Sequence, residues 1–331
     1  MTPDGKAAVV ITEDDKKLLG IDGMRVRSVV GAGSYGTVVL YQSAKRKIAV
    51  KSMVIKKEKE KYDARQEVMA LKLFQSCPYT IDYIGDIIDC TNEVHHVVID
   101  SAQKDFTDII QNLSSRKAKQ YFKQLISGVQ FIHNKGFAHR DLKTPNLLLG
   151  RDNILKICDF NMTCTFLNDE GHEIFYKGTC GTEEYQPPEF LTKAHSDKYC
   201  PRSYDIWSCG IIFAEFFTGD LPWNRAEVSD KGYSNFAEGI TVPRLTQQQH
   251  VFMRFICQED CEKRPKIVEI AEHSFMKDRS RASLTPKTPR TPLTIAQANT
   301  PKMAPGRKRK QDQDDESTTP AKSVKIMKSV E

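Results

Sequence analysis

The sequence predicts an α+β chain, on three observations. Extended, β-like segments crowd the stretch before residue 100. The clearest helical periodicity follows at residues 115–134, and behind it stands a polar octapeptide, His139-Arg140-Asp141-Leu142-Lys143-Thr144-Pro145-Asn146, that leads into a short apolar strand. At 331 residues and 39% hydrophobic content the chain can bury a large core, as one two-lobed unit or as two ordinary domains.

Charge and cysteine content narrow the class. From Asp278 to Glu331 twelve Lys or Arg face six Asp or Glu, so this tail carries the whole net charge of +6 and the preceding part is near neutral. A globular nucleic-acid binder would need its own basic face, so direct nucleic-acid binding is not expected. Nine scattered cysteines without a C-x-x-C pair imply reduced thiols. With no apolar run long enough to span a membrane and a charged N-terminus, a soluble intracellular protein is expected.

The elements follow in order. Residues 1–23 hold paired acids and lysines with little apolar pattern and are expected to be a flexible lead-in. Met24 to Val30 is a strand, and Gly31-Ala32-Gly33-Ser34-Tyr35-Gly36-Thr37-Val38 is a glycine-rich turn entering a second strand. Glycines at 31, 33 and 36 let the backbone lie close over phosphates, and Val38 can cover an adenine ring. A hairpin without a ligand has the same glycines, but a dinucleotide fingerprint would need a helix after the third, and here a strand follows.

Ile48-Ala49-Val50-Lys51 is the next strand. Its lysine either ends the strand in solvent or binds the α- and β-phosphates, held by a carboxylate of the following helix. That helix is expected over residues 62–74, with Val68, Leu71, Leu73 and Phe74 apolar and Glu67 as the partner. Glu58 and Glu60 compete, in a lysine-rich stretch that suggests a solvated connection. Strands over 81–88 and 94–99 lead to Asp100-Ser101-Ala102, where by order alone the backbone of Asp100 and Ala102 meets the base. Residues 115–134 form a helix, with an apolar face from Ala118 to Ile132, a cap at Ser114 or Ser115 and an end at Gly136.

The octapeptide carries the chemistry. Asp141 can accept the proton of an attacking hydroxyl, Lys143 can neutralise a transferred phosphoryl group, and Asn146 can hold a metal ion. A hairpin from Leu147-Leu148-Leu149 through Gly150–Asn153 to Ile154–Cys158 brings Asp159-Phe160-Asn161 back beside Asn146, where Asp159 is a second metal ligand. Such a site works by positioning and charge neutralisation.

With these motifs in this order the chain resembles the eukaryotic protein kinases over residues 24–276. Gly181-Thr182-Glu183-Glu184-Tyr185-Gln186-Pro187-Pro188-Glu189 is similar to the segment closing their activation loop. Asp205-Ile206-Trp207-Ser208-Cys209-Gly210 opens a helix apolar on all sides, and Arg264 is similar to the arginine that pairs with Glu189. Lys143 and Thr182 resemble their counterparts in serine/threonine kinases, with tyrosine specificity the alternative. The resemblance implies a bilobal protein kinase fold with a small β-rich N-lobe and a larger helical C-lobe. It implies ATP and Mg2+ in the cleft, held by Val30, Gly31, Ala32, Gly33, Ser34, Tyr35, Gly36, Thr37, Val38, Lys51, Glu67, Asp100 and Ala102, with Asn146 and Asp159 on the metal. Asp141 and Lys143 are its catalytic residues, protein Ser/Thr hydroxyls its substrates, and a monomer without membrane partners its expected state.

Within that family the chain is similar to the DNA-damage checkpoint kinase one subfamily, on Asn146–Leu149 with Arg151-Asp152-Asn153, on Cys180-Gly181-Thr182, and on Trp207–Ile211 followed by Gly219-Asp220-Leu221-Pro222-Trp223 and Tyr233-Ser234. This implies cell-cycle arrest after DNA damage and action in the nucleus. Departures are equally specific. Asn161 replaces the glycine of Asp-Phe-Gly, and as a residue tolerant of positive φ it is expected to alter switching. Pro145 stands where arginine-selecting kinases often carry an acid just before the asparagine, which weakens the expectation of arginine selection upstream of the target; Asp105 can still supply such a contact. The sequence holds no Ser-Gln dipeptide, and regulation by the upstream damage-sensing kinases of checkpoint signalling is not expected. Arg140 leaves room for an activation loop ordered by a phosphate, with Thr179 the best-placed acceptor.

The tail from residue 277 is expected to be disordered, with Thr285, Thr288, Thr291, Thr300 and Thr319 each before proline as acceptors for proline-directed kinases. Gly306-Arg307-Lys308-Arg309-Lys310 is similar to a nuclear import signal. An active kinase is expected, with a pseudokinase scaffold as the alternative.

Overall fold

The computed structural model describes residues 11–33, 36–178, 180–192 and 198–277. A five-stranded antiparallel sheet comes first, made of β1 (Arg25–Gly33), β2 (Gly36–Gln42), β3 (Lys47–Val54), β4 (Tyr83–Asp89) and β5 (Val94–Asp100), in the order β1-β2-β3-β5-β4. Alternation along the strands assigns its two faces. Ile48 and Val50 of β3 join Val39, Tyr41 and Val98 in one core; Met53 of β3 and Val97 of β5 join the other, with Ala64, Val68 and Leu71. Lys51 shares the parity of Met53 and so turns to the face that the first long helix covers.

That helix, α2 (Glu58–Phe74), starts four residues before the expected point. Glu60 Oε2 accepts from the backbone N–H of Lys57 at 2.9 Å, and the acids of the first turn lie at the positive end of the helix dipole. Glu58 and Glu60 therefore cap a helix, correcting the solvated connection.

Over residues 11–23 the flexible lead-in is corrected as well, while residues 1–10 lie outside the described residues. Thr12 caps a short helix, α1 (Glu13–Leu18), by accepting from Asp15 N at 3.1 Å, and Ile11 and Ile21 on either side of it are buried against Val39, Tyr41 and Ile48. Lys16 lies with its ammonium 5.1 Å from the Tyr41 ring centre. Residues 11–23 thus lid the sheet face opposite α2. Ile21→Ala is expected to cost about 2–5 kcal/mol in urea unfolding; a mobile segment would leave the midpoint unchanged.

The second layer is mainly helical. A small sheet of β6 (Lys104–Asp105), β8 (Leu147–Leu149) and β9 (Leu155–Ile157), and the pair β7 (Phe137–Ala138) and β10 (Cys164–Thr165), frame α3 (Ser115–Asn134). Ser114 caps α3, whose residues Ala118, Phe122, Leu125, Val129 and Ile132 are buried. Beyond follow α4 (Pro188–Thr192), α5 (Pro201–Thr218), α6 (Lys231–Ala237), α7 (Gln247–Ile256) and α8 (Ile267–Glu272). α5 opens at Pro201, not at Asp205; proline suits a first helical position because its missing N–H has no partner there anyway. It is buried on every side, as a helix apolar all round must be.

Candidate active site

Between sheet and helices lies a cavity of about 610 Å3, the size of an ordinary small-ligand pocket. Val30, Gly31, Gly36, Val38, Ala49 and Lys51 line it from the sheet, Asp100 and Ala102 from the crossing, and Asn146, Leu148 and Asp159 from below. Gly36 has φ 125°, and a Cβ there would come within 2.3 Å of the Ser52 carbonyl oxygen, so only glycine fits. Thr37 sits in β2 opposite Ala32 and Ser52, and Gly33 pairs with Gly36. Ser34 and Tyr35 lie outside the described residues.

Lys51 is the centre of the upper wall. Its Nζ lies 2.7 and 2.8 Å from the two carboxylate oxygens of Glu67 and 2.7 Å from Asp159 Oδ1. Burial alone would lower the lysine's pKa; the two carboxylates outweigh it and hold the ammonium above its ordinary value. The same lysine holds the Asp159 carboxyl below the usual range against the opposing effect of burial. Phe160 is fully buried between Phe74 of α2 and His139, with ring centres 5.3 and 5.2 Å away, so α2, the Asp159 turn and the octapeptide pack as one stack.

The β8–β9 hairpin does what its turn residues predict. Leu147 pairs with Ile157, and Cys158 N donates to Asn146 O at 3.0 Å, which sets Asp159 next to Asn146 in chain terms and in the cavity wall. Asp159 takes the left-handed conformation at φ 65°. This corrects the expectation for Asn161, which lies in a 3-10 turn and is not the residue at positive φ. Both polar atoms of its side chain are buried with no partner among the described residues.

Below, Asn146 Nδ2 donates to Asp141 O at 2.8 Å and to Asp141 Oδ2 at 3.1 Å, and Lys143 Nζ lies 3.0 Å from the same Oδ2. Thr182 Oγ1 donates to Asp141 Oδ1 at 2.8 Å and accepts from Lys143 at 2.6 Å. An alcohol hydroxyl pointing its proton at an oriented carboxylate, beside an ammonium, is the geometry that hydroxyl activation requires. Arg140 donates to Met162 O at 2.7 Å and Tyr199 Oη at 2.8 Å, while Thr179 lies outside the described residues. Arg264 grips Glu189 through two contacts of 2.6 Å.

Several supporting residues were not singled out from the sequence. Asp205, fully buried in α5, accepts from the backbone N–H of His139 and Arg140 at 2.8 Å each and pairs with His133 Nε2 at 2.9 Å. His139 Nε2 bonds Cys158 O at 3.0 Å, tying the octapeptide to the strand before Asp159. Glu215 of α5 bonds Thr144 and Tyr185. Acids inside an otherwise apolar helix were the signal available for Asp205 and Glu215.

A family model described as a protein kinase domain matches residues 24–276. The chain belongs to the protein kinase family. The kinase "grp" of Drosophila melanogaster is 31% identical over 225 residues, covering 66% of this chain and 42% of that protein. The kinase "chk-1" of Caenorhabditis elegans is 29% identical over 272 residues, covering 76% and 53%. Testis-specific serine/threonine-protein kinase 1 of Homo sapiens is 28% identical over 284 residues, covering 82% and 76%. All three are named serine/threonine-protein kinases. The chain spans about half the length of the first curated relatives it matches.

As a kinase site, the constellation fits a divalent cation. Among the described residues no group of three or more His, Cys, Asp or Glu forms a self-sufficient metal site. Asp159 and Asn146 offer hard oxygen donors at the cavity floor, and phosphate oxygens would complete the sphere, as hard cations prefer.

Proposed function

We propose that this chain is an active kinase that passes the γ-phosphate of ATP to serine or threonine hydroxyls of protein substrates, using magnesium, in cell-cycle or DNA-damage checkpoint signalling. The observation that carries the enzymatic reading is the Thr182 hydroxyl held between Asp141 and Lys143, below a lysine already paired with Glu67 and Asp159. In that arrangement Asp141 receives the proton of the attacking hydroxyl, Lys143 faces the charge of the moving phosphoryl group, and Lys51 holds the phosphates that stay behind. Asp159 and Asn146 would hold the magnesium ion, which would supply charge neutralisation for the phosphates.

The checkpoint role is supported by the relatives named chk-1 and by the motif clusters around Trp207 and Trp223. Nuclear action is supported by the basic run Arg307–Lys310, which lies outside the described residues, as do the Thr-Pro sites. Pro145 weakens the case for arginine selection upstream of the target, and Asp105, which lines the cavity, is the residue left to supply such a contact.

The buried, unpartnered amide of Asn161 favours a second reading, a kinase fold kept as a scaffold. Transfer of labelled phosphate with magnesium to a peptide array separates the two. The expected result is transfer by the wild type, changed by less than about tenfold in Asn161→Gly, with the array showing whether arginine upstream is selected despite Pro145. Silence of the wild type with activity in Asn161→Gly would mean that the asparagine locks the segment, and silence of both would leave the scaffold.

A further inference from the structure

Glu215 sits in the middle of α5, almost fully buried, and no lysine or arginine among the described residues pairs with it. Its two oxygens are divided between two parts of the site. Oε1 meets Thr144 Oγ1 at 3.0 Å, Oε2 meets Tyr185 Oη at 2.8 Å, and the two hydroxyls meet each other at 3.0 Å. Thr144 follows Lys143 directly and lies two residues before Asn146. Tyr185 lies three residues after Thr182. The three side chains therefore join the loop that carries the catalytic residues to the segment that lies beside them, on the most buried helix of the protein.

The number of hydrogens decides the state of this triangle. It has three oxygen–oxygen contacts. With the carboxyl ionised, only the two hydroxyl hydrogens are available; if both point at the carboxylate, the Thr144–Tyr185 contact holds two oxygens and no proton. With the carboxyl neutral there are three hydrogens for three contacts. The acid donates to Thr144 through Oε1, Thr144 to Tyr185, and Tyr185 back to Glu215 Oε2, so the ring closes in one direction and each of the three groups gives one hydrogen and receives one.

We propose that Glu215 is a positioning residue, held as the neutral acid, that closes this ring and so fixes the catalytic loop against the substrate-side segment. It touches neither substrate nor nucleotide, because Thr144 and Tyr185 use both its oxygens. Independent support comes from its titration: burial pushes the carboxyl up to about 7, opposed by the hydrogen bonds from Tyr185 and Thr144, and Glu184 is the charged group among the described residues that acts on it, with a like charge that favours the neutral form. The sign follows. Because the folded-state value is raised, the proton is fully held below the ordinary glutamate range and is lost as pH rises through about 7, so the clamp loosens on the alkaline side.

Glutamine tests this directly. Its amide donates with one end and accepts with the other, closes the same ring, and cannot ionise. The experiment measures kcat and KM for peptide transfer from pH 6 to 8.5 in the wild type, Glu215→Gln and Glu215→Leu, with thermal unfolding of each. The ratio of wild-type to Glu215→Gln kcat is expected to be near one below pH 6.5 and to fall about threefold or more by pH 8.5. Glu215→Leu is expected to lose about tenfold to a hundredfold in kcat at every pH, with KM for ATP little changed. A ratio flat across the range, or a folded Glu215→Leu with wild-type kcat, would overturn the assignment. Should the leucine variant fail to fold, the glutamine ratio still decides. The inference rests on the kinase reading, so carboxyl NMR of Glu215 is followed in parallel without turnover. A midpoint near neutrality supports the buried acid whatever the activity, and a midpoint in the ordinary glutamate range overturns it, whereas loss of transfer in the wild type alone counts against the kinase reading.

Discussion

Asp141→Ala is expected to lower kcat about a thousandfold and to leave KM for ATP within about threefold, since removing a general base costs its catalytic share and no more. Asp141 does not line the nucleotide cavity; it faces Thr182, Lys143 and Asn146. Lys51→Met is expected to behave differently although it too lowers transfer steeply. Glu67 is buried with its charge answered by Lys51, and the Asp159 carboxylate leans on the same ammonium. Taking the cation away leaves buried negative charge that ionises at a cost, which comes to about 3 kcal/mol of stability. At about 2–4 °C per kcal/mol for a domain of this size, Lys51→Met should melt visibly earlier and Asp141→Ala should not. Kinetics and calorimetry on both variants check the contrast. Transfer at the wild-type rate by Asp141→Ala would remove the general base from the account.

The reason the contrast can be drawn lies in what a sequence carries. Asp141, Lys143, Asn146 and Asp159 were legible because each sits where a short stretch of chain dictates its place: two within a loop, two at the ends of one tight hairpin. Lys51 and Glu67 were legible through strand alternation and helical spacing, and the structure sets them 2.7 Å apart. The start of α2 escaped notice because its cap is formed by Glu60 reaching back, inside a lysine-rich run that has the composition of a connection. α1 escaped because five charged residues and a single leucine give no apolar period; the isoleucines that hold it down flank the helix instead. The positive φ falls at Asp159 and not at Asn161, since the composition of Asp-Phe-Asn offers two residues tolerant of it and only the fold selects between them. Asp205 and Glu215 lie more than 60 residues from the loop they support, and no local pattern reports a partner at that separation.

Asp205 should show the largest combined loss of stability and activity among the supporting residues. Its carboxylate is fully buried and accepts from two backbone N–H groups at 2.8 Å and from His133 at 2.9 Å. In Asp205→Ala those three donors stay buried without an acceptor, at about 1–3 kcal/mol each before relaxation; a net loss of about 3–5 kcal/mol is expected, as for other buried ionic networks. Arg140 adds the link to function. It is held at φ 64°, a conformation that costs a non-glycine residue about 1–3 kcal/mol and persists only while its surroundings enforce it. The bond from its N–H to Asp205 is part of that enforcement, and the next residue is Asp141. Release of Arg140 toward ordinary angles moves the Asp141 carboxylate off its target, and a shift of about 1 Å costs about a hundredfold in rate. Asp205→Asn keeps one accepting oxygen and turns a donor toward the other contact, so it should lose less of both, about 1–3 kcal/mol. Urea unfolding together with kcat per folded molecule separates the two effects. A variant that unfolds earlier yet turns over normally when folded would reduce Asp205 to a stability residue, and the catalytic loop would have to be held by its other contacts, His139 with Cys158 and Thr144 with Glu215 and Tyr185 among them.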